Sequence, residues 1–216
     1  MRRIHIPIIT LIAGFCMVFS TSHATESQGE SALKSLKQRQ RQIEMAQVAL
    51  DENPHSRKHK AALNDAIRET FDFGRLGREA IDHTWDIMTP AQRKEYLFLF
   101  RELVQKSTVR KLKAYKAAGT KYSEPATMPT DSMTVTITTV VTSTEGDEVA
   151  ILYKLHEVDG RWWIWDNTVG LDVQISEYDT SSCDNYRSIF NKIVKENGVE
   201  ALLKKLRNKH KGGSEL

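Results

Sequence analysis

His55 and His59 are four residues apart, a spacing that on a helix can bring two imidazoles to one metal ion. They sit beside Pro54 and among Arg57, Lys58 and Lys60, so the stretch reads as a solvated basic face instead of a metal site. Asp166, Asp172, Asp179 and Asp184 are numerous enough for acid–base work, yet no spacing fixes any two of them on one surface. Cys183 is read as a bystander in a loop. No glycine-rich phosphate loop and no serine nucleophile elbow are present. Nothing in this set argues for an enzyme, and neither catalytic nor metal-binding residues are assigned.

The elements that would have to position any site centre on residues 131–166. Met133, Val135, Ile137 and Val141 alternate with Ser132, Thr134, Thr136, Thr138 and Thr142. Val149, Ile151, Tyr153 and Leu155 repeat the alternation, and Arg161-Trp162-Trp163-Ile164-Trp165-Asp166 makes a third run. Glu145-Gly146-Asp147 and Val158-Asp159-Gly160 between the runs have hairpin-turn chemistry. Three hairpin-linked strands form an antiparallel meander with one apolar face to cover.

The flanking segments supply the cover. Residues 31–50 form a weakly periodic helix, ended where Asn53 precedes Pro54. Thr89-Pro90-Ala91-Gln92 combines an N-cap, a proline at the first helical position and a capping box. Tyr96, Leu99, Phe100, Leu103 and Val104 then make an apolar stripe on a helix expected to reach residue 118 and to cross the sheet. Leu171, Val173 and Ile175 suggest a further strand. Tyr186, Ile189, Phe190, Ile193 and Val194 form another helical stripe, with Gly198 as its stop. The fold class is therefore α+β, a curved antiparallel sheet of about four or five strands covered by several helices.

The ends of the chain have separate roles. Residues 1–24 have a charged start (Arg2, Arg3), an apolar stretch shorter than a membrane span, and Ser22-His23-Ala24 as a cleavage site: an export signal. Residues 25–30 are expected to be disordered, 31–209 to form a single domain and 210–216 a flexible tail. Losing Arg2 and Arg3 brings the formal charge of +3 close to neutral, and no basic patch with interleaved aromatics points to nucleic acid. Cys16 leaves with the signal, so Cys183 has no partner for an internal disulfide.

An ordered set of segments resembles the MlaC family of periplasmic phospholipid-binding proteins, also called toluene-tolerance auxiliary proteins. It comprises Phe71-Asp72-Phe73, Trp85, Thr89-Pro90-Ala91-Gln92-Arg93, Phe100 and Leu103, then 149–153 and Gly160-Arg161-Trp162-Trp163-Ile164-Trp165-Asp166. Asn185-Tyr186-Arg187-Ser188-Ile189-Phe190, Gly198 and 202–206 complete it. One departure is the longer interval between Asp166 and Tyr186, where Val169-Gly170-Leu171-Asp172 lacks the family's Gly-Val-Ser.

The resemblance implies a nuclear-transport-factor-like fold around an apolar lipid pocket, with a bound phospholipid and no other cofactor. It implies a periplasmic shuttle carrying glycerophospholipid between outer and inner membranes of a Gram-negative cell. Its partners would be an outer-membrane lipoprotein–porin complex and an inner-membrane ABC transporter with a hexameric lipid-binding domain. The expected pocket lining is Phe100, Leu103 and Val104 on the long helix, Met133, Val135, Ile137, Ile151 and Tyr153 on the first two strands, Trp163 and Trp165 on the third, and Tyr186 and Phe190 on the last helix. The alternative is an enzyme or binding module for small apolar molecules on the same cone-shaped fold, which needs an ionisable group such as Asp166 or His156 facing the pocket.

Overall fold

The computed structural model describes residues 21–114, 117–128, 131–170 and 173–212. Most of the expected export signal, Leu171, Asp172 and the last four residues of the expected tail lie outside them.

Three consecutive antiparallel strands, β3 (Asp131–Ser143), β4 (Glu148–Val158) and β5 (Arg161–Val169), form the expected meander. Its turns are made as their residues require. Gly146 takes φ +94°, and the Ser143 hydroxyl accepts from the amides of Glu145 and Asp147. Asp159 and Gly160 both adopt positive φ, the two-residue geometry whose twist matches the strands it joins. A bulge between Lys154 and Leu155 gives β5 one extra residue, which bends the strand.

Two further strands, β1 (Ala117–Tyr122) and β2 (Ala126–Met128), both pair with β3 and complete a five-stranded antiparallel sheet. The start of β1 takes the place of the end of the long helix expected through residue 118. That helix, α5 (Pro90–Ala114), starts at the reciprocal Thr89–Gln92 capping box but stops where β3 offers the next residues a ladder. The further strand expected around Leu171, Val173 and Ile175 is not formed among the described residues, where 173–180 is irregular.

α1 (Thr21–Glu52) begins ten residues earlier than the helix expected at 31–50, so residues 25–30 are helical and not disordered. Tertiary packing overrides their polar composition. Gly29 is buried so closely on Pro125 that a Cβ there would lie 3.0 Å from the proline ring, and the Ser31 hydroxyl accepts from Trp162 Nε1 at 3.1 Å. α2 (Arg57–Arg68), α3 (Phe73–Glu79) and α4 (Thr84–Ile87) follow, with Ser56 and Asp72 capping the first two. α6 (Ser182–His210) is capped by Ser181 and broken at Gly198, the expected stop, at φ +78° and ψ 172°. His210, placed in the tail by sequence, ends this helix, and its carbonyl accepts from Lys106.

The apolar interior falls into two clusters. One is helical and contains Tyr96, Leu99, Phe100 and Val104 of α5, Phe190 and Leu203 of α6, and side chains of α2 and α3. The other lies between sheet and α1, with Ala32 and Leu36 over Val135, Ile137, Leu155, Trp162 and Ile164. The helix that covers the sheet is therefore α1. The long α5, expected to cross it, packs instead on α3 and α6. Phe71 packs against both clusters and pairs through its backbone with Ile164.

Candidate functional site

Strand register sets which side chains share the sheet's inner face. Val135 lies opposite Leu155, Ile137 opposite Tyr153 and Thr139 opposite Ile151. Val135 and Ile137 are sealed under α1, whereas Ile151 and Tyr153, farther along the same face, are only half-buried. Burial pushes the Tyr153 phenol up to about 12, with Gln40 and Thr139 as hydrogen-bond partners. Tyr122 lies beside it, donating to Gln40 Oε1 at 2.6 Å.

On the helical side Tyr96, Phe100, Tyr186 and Phe190 form one aromatic cluster of stacked and edge-to-face pairs with ring centroids 5.2 to 6.1 Å apart. Tyr96 donates to the Gly77 carbonyl at 2.9 Å, and a Cβ at Gly77 would come within 2.9 Å of Leu97 and 3.0 Å of Phe100. Phe100 and Phe190 are fully enclosed. Leu103, Tyr186 and Ile189 are half-buried at the margin of this cluster.

The twelve residues expected to line one pocket are thus divided. Phe100, Val104 and Phe190 fill the helical core, with Leu103 and Tyr186 at its edge. Val135 and Ile137 fill the sheet core, with Tyr153 at its edge, and Ile151 stands half-buried beyond. Met133 is 73% exposed, and its amide donates to the Asp131 carboxylate. Trp163 and Trp165 belong to neither cluster. Arg161 lies 4.1 Å over the Trp163 ring and Arg75 4.1 Å over that of Trp165, so cations cover them instead of apolar side chains. Sequence reasoning missed the Gln40, Tyr122 and Thr139 group, because Tyr122 sits in a stretch with no alternation and Gln40 in a polar helical run.

The ionisable groups weighed for chemistry are held in structural pairs. Asp166 is 1% exposed, contacts Lys154 Nζ at 2.9 Å and accepts from the amides of Asn167 and Cys183. His156 lies 3.0 Å from Asp72. Asp184 pairs with Arg187 in the first turn of α6, and Asp179 accepts from Ser176. Cys183 is in that same helical turn, not in a loop, and burial pushes its thiol up to about 12, far from a reactive thiolate. His55 is in the turn before α2 while His59 is inside it, so the metal spacing is broken by the Ser56 cap. Among the described residues no group of three metal-ligating side chains forms, and no helix is long and apolar enough to cross a membrane.

An open antiparallel sheet under one helix, joined to a separate helical bundle, defines an α+β fold with a divided interior. The chain belongs to the MlaC family, whose model, described as MlaC protein, matches residues 34–208. A solved structure with this fold is the phospholipid-binding protein from Ralstonia solanacearum, described in complex with a phospholipid. It is 18% identical with a TM-score of 0.69, and the alignment covers 84% of this chain and 97% of that one. A search of curated proteins found no match.

Proposed function

We propose that this protein carries a glycerophospholipid through the periplasm, as the soluble shuttle of an ABC-type lipid transport system. The observation that supports it most is the divided interior. A domain of this size ordinarily builds one contiguous core, whereas here two clusters share Phe71 and half-buried apolar and aromatic side chains stand at the margins of both, the space between which we take as the lipid-binding seam. Ile151, Tyr153 and Tyr122 edge the sheet side, and Leu103, Tyr186 and Ile189 the helical side. Acyl chains between them would complete the core. The phospholipid described with the Ralstonia solanacearum protein of the same fold agrees with this reading.

The need for such a carrier follows from the hydrophobic effect. At about 0.8 kcal/mol per methylene, two acyl chains with on the order of 30 methylenes cost roughly 20 kcal/mol to expose to water. A carrier requires only apolar shelter and docking surfaces, so the commitment of Asp166, His156 and Cys183 to structural contacts is no handicap. In this reading the signal is removed after Ala24, leaving α1 to start at Thr25. Lipid is exchanged with an outer-membrane lipoprotein–porin complex and with the hexameric lipid-binding domain of an inner-membrane ABC transporter.

The test is uptake. Delipidated, refolded protein incubated with phospholipid vesicles and then separated from them should carry lipid. Ile151→Glu and Leu103→Glu, each placing a carboxylate at the seam, should abolish loading with little loss of secondary structure. Full loading by both variants would reject the seam as the binding place.

A further inference from the structure

A second feature lies on the outside of the fold, where α1 passes the end of α2 and the start of β5. An open groove of about 260 Å³ is lined by Ser35, Gln38, Arg39 and Gln42 from one face of α1, with Glu69 and Arg161 opposite. Both guanidinium groups donate to one acceptor, the Glu69 carbonyl, Arg39 through Nη1 and Arg161 through Nη2. The Nε atoms of both are buried and have no hydrogen-bond partner among the described residues. Trp163 holds the pair in place, its ring 4.1 Å from the Arg161 guanidinium and 5.7 Å from that of Arg39. Burial and the nearby Arg161 charge lower the pKa of Arg39. The sole carboxylate of the lining, Glu69, stands 4.0 Å from Arg161 and leaves one of the two positive charges unbalanced.

We propose that this groove binds a monoanionic phosphate group, either as free phosphate or as the phosphodiester of a lipid headgroup. With one Nη of each guanidinium on the Glu69 carbonyl and both Nε atoms buried, the second Nη of each, arriving from different elements, suits an anion with more than one acceptor oxygen. The Ser35 hydroxyl and the Gln38 and Gln42 amides add neutral donors along α1. Stacking on Trp163 fixes Arg161 before the ligand arrives, which lowers the ordering cost of binding. The unbalanced single charge matches a monoanion, and Glu69 disfavours a more highly charged ligand. At roughly 30 Å³ per liquid water, the groove displaces enough solvent for a group of this size. The site stands apart from the seam and does not depend on lipid carriage.

The test is titration calorimetry of the purified protein at low ionic strength, with inorganic phosphate in one arm and glycerophosphoglycerol in the other. Saturable binding in either arm is expected, and the tighter ligand identifies the source, free phosphate or headgroup. Arg39→Gln and Arg161→Gln should each weaken it about tenfold, the loss of a charge-assisted contact. Glu69→Gln, which removes a like charge from an exposed position, should tighten it severalfold. A purely structural role for the arginine pair, holding the end of α2, gives no such tightening. Absence of binding in both arms overturns the proposal, as does unchanged affinity in folded Arg39→Gln and Arg161→Gln proteins. If the arginine variants do not fold, unchanged affinity in Glu69→Gln overturns it alone. The lipid content of Glu69→Gln, read separately, should match the parent protein.

Discussion

Asp166 is buried where α6 begins, and its carboxylate joins β5 to both β4 and α6 through Lys154 and the Cys183 amide. Breaking a buried ion pair leaves the surviving charge uncompensated, at a cost of about 3–5 kcal/mol. Asp166→Ala should therefore lower the unfolding free energy from urea titration by an amount of that order, and a cost below about 1 kcal/mol would mean that Lys154 finds water instead. Asp72 gives a pH signature. Its burial raises the carboxyl pKa, but the hydrogen bonds from His156 and from the Arg75 and Gly74 amides outweigh this and hold it below the ordinary value. A depressed carboxyl stabilises the fold above its unfolded pKa of about 4, and that contribution is lost as pH falls through the folded value. Unfolding midpoints measured from pH 5 down to pH 2 should fall less steeply in Asp72→Asn than in the parent protein. Parallel curves would contradict this.

At the scale of elements, α6 changes direction at Gly198, whose positive φ a side chain adopts only with strain. Gly198→Ala should cost about 1–2 kcal/mol in thermal or chemical unfolding, and a neutral result would mean the break relaxes into continuous helix. Strands β3 and β4 were legible in sequence because apolar residues recur at every second position, β5 because of its tryptophan-rich run, and all three because the turns between them carry Gly and Asp. The start of α5 was legible because Thr89 and Gln92 can cap each other. Strand β1 was not, since Ala117–Tyr122 has no alternation and owes its conformation to pairing with residues 139–143 of β3. Nor was the placing of α1 over the sheet, because Ala32, Leu33 and Leu36 are a thin apolar stripe beside the richer one on α5. Periodicity shows which face of an element is buried, not which neighbour buries it. For that reason the expected lining was drawn as one set, while the fold separates Phe100 and Phe190 from Val135 and Ile137.

For the whole molecule, the decisive property is an interior of two apolar clusters that share Phe71, with half-buried Tyr122 and Tyr153 at the margin of one, Tyr186 at the margin of the other, and the proposed seam between them. Acyl chains lodged there would have their hydration shell replaced by both clusters, so spontaneous release into water would be very slow and transfer would need an acceptor membrane or partner. Native mass spectrometry of the processed protein, purified without detergent, tests this most directly. The expected spectrum shows one diacyl glycerophospholipid bound per chain, released only on collisional activation. A spectrum of bare protein, from a folded sample that also takes up no phospholipid from vesicles, would contradict the carrier reading.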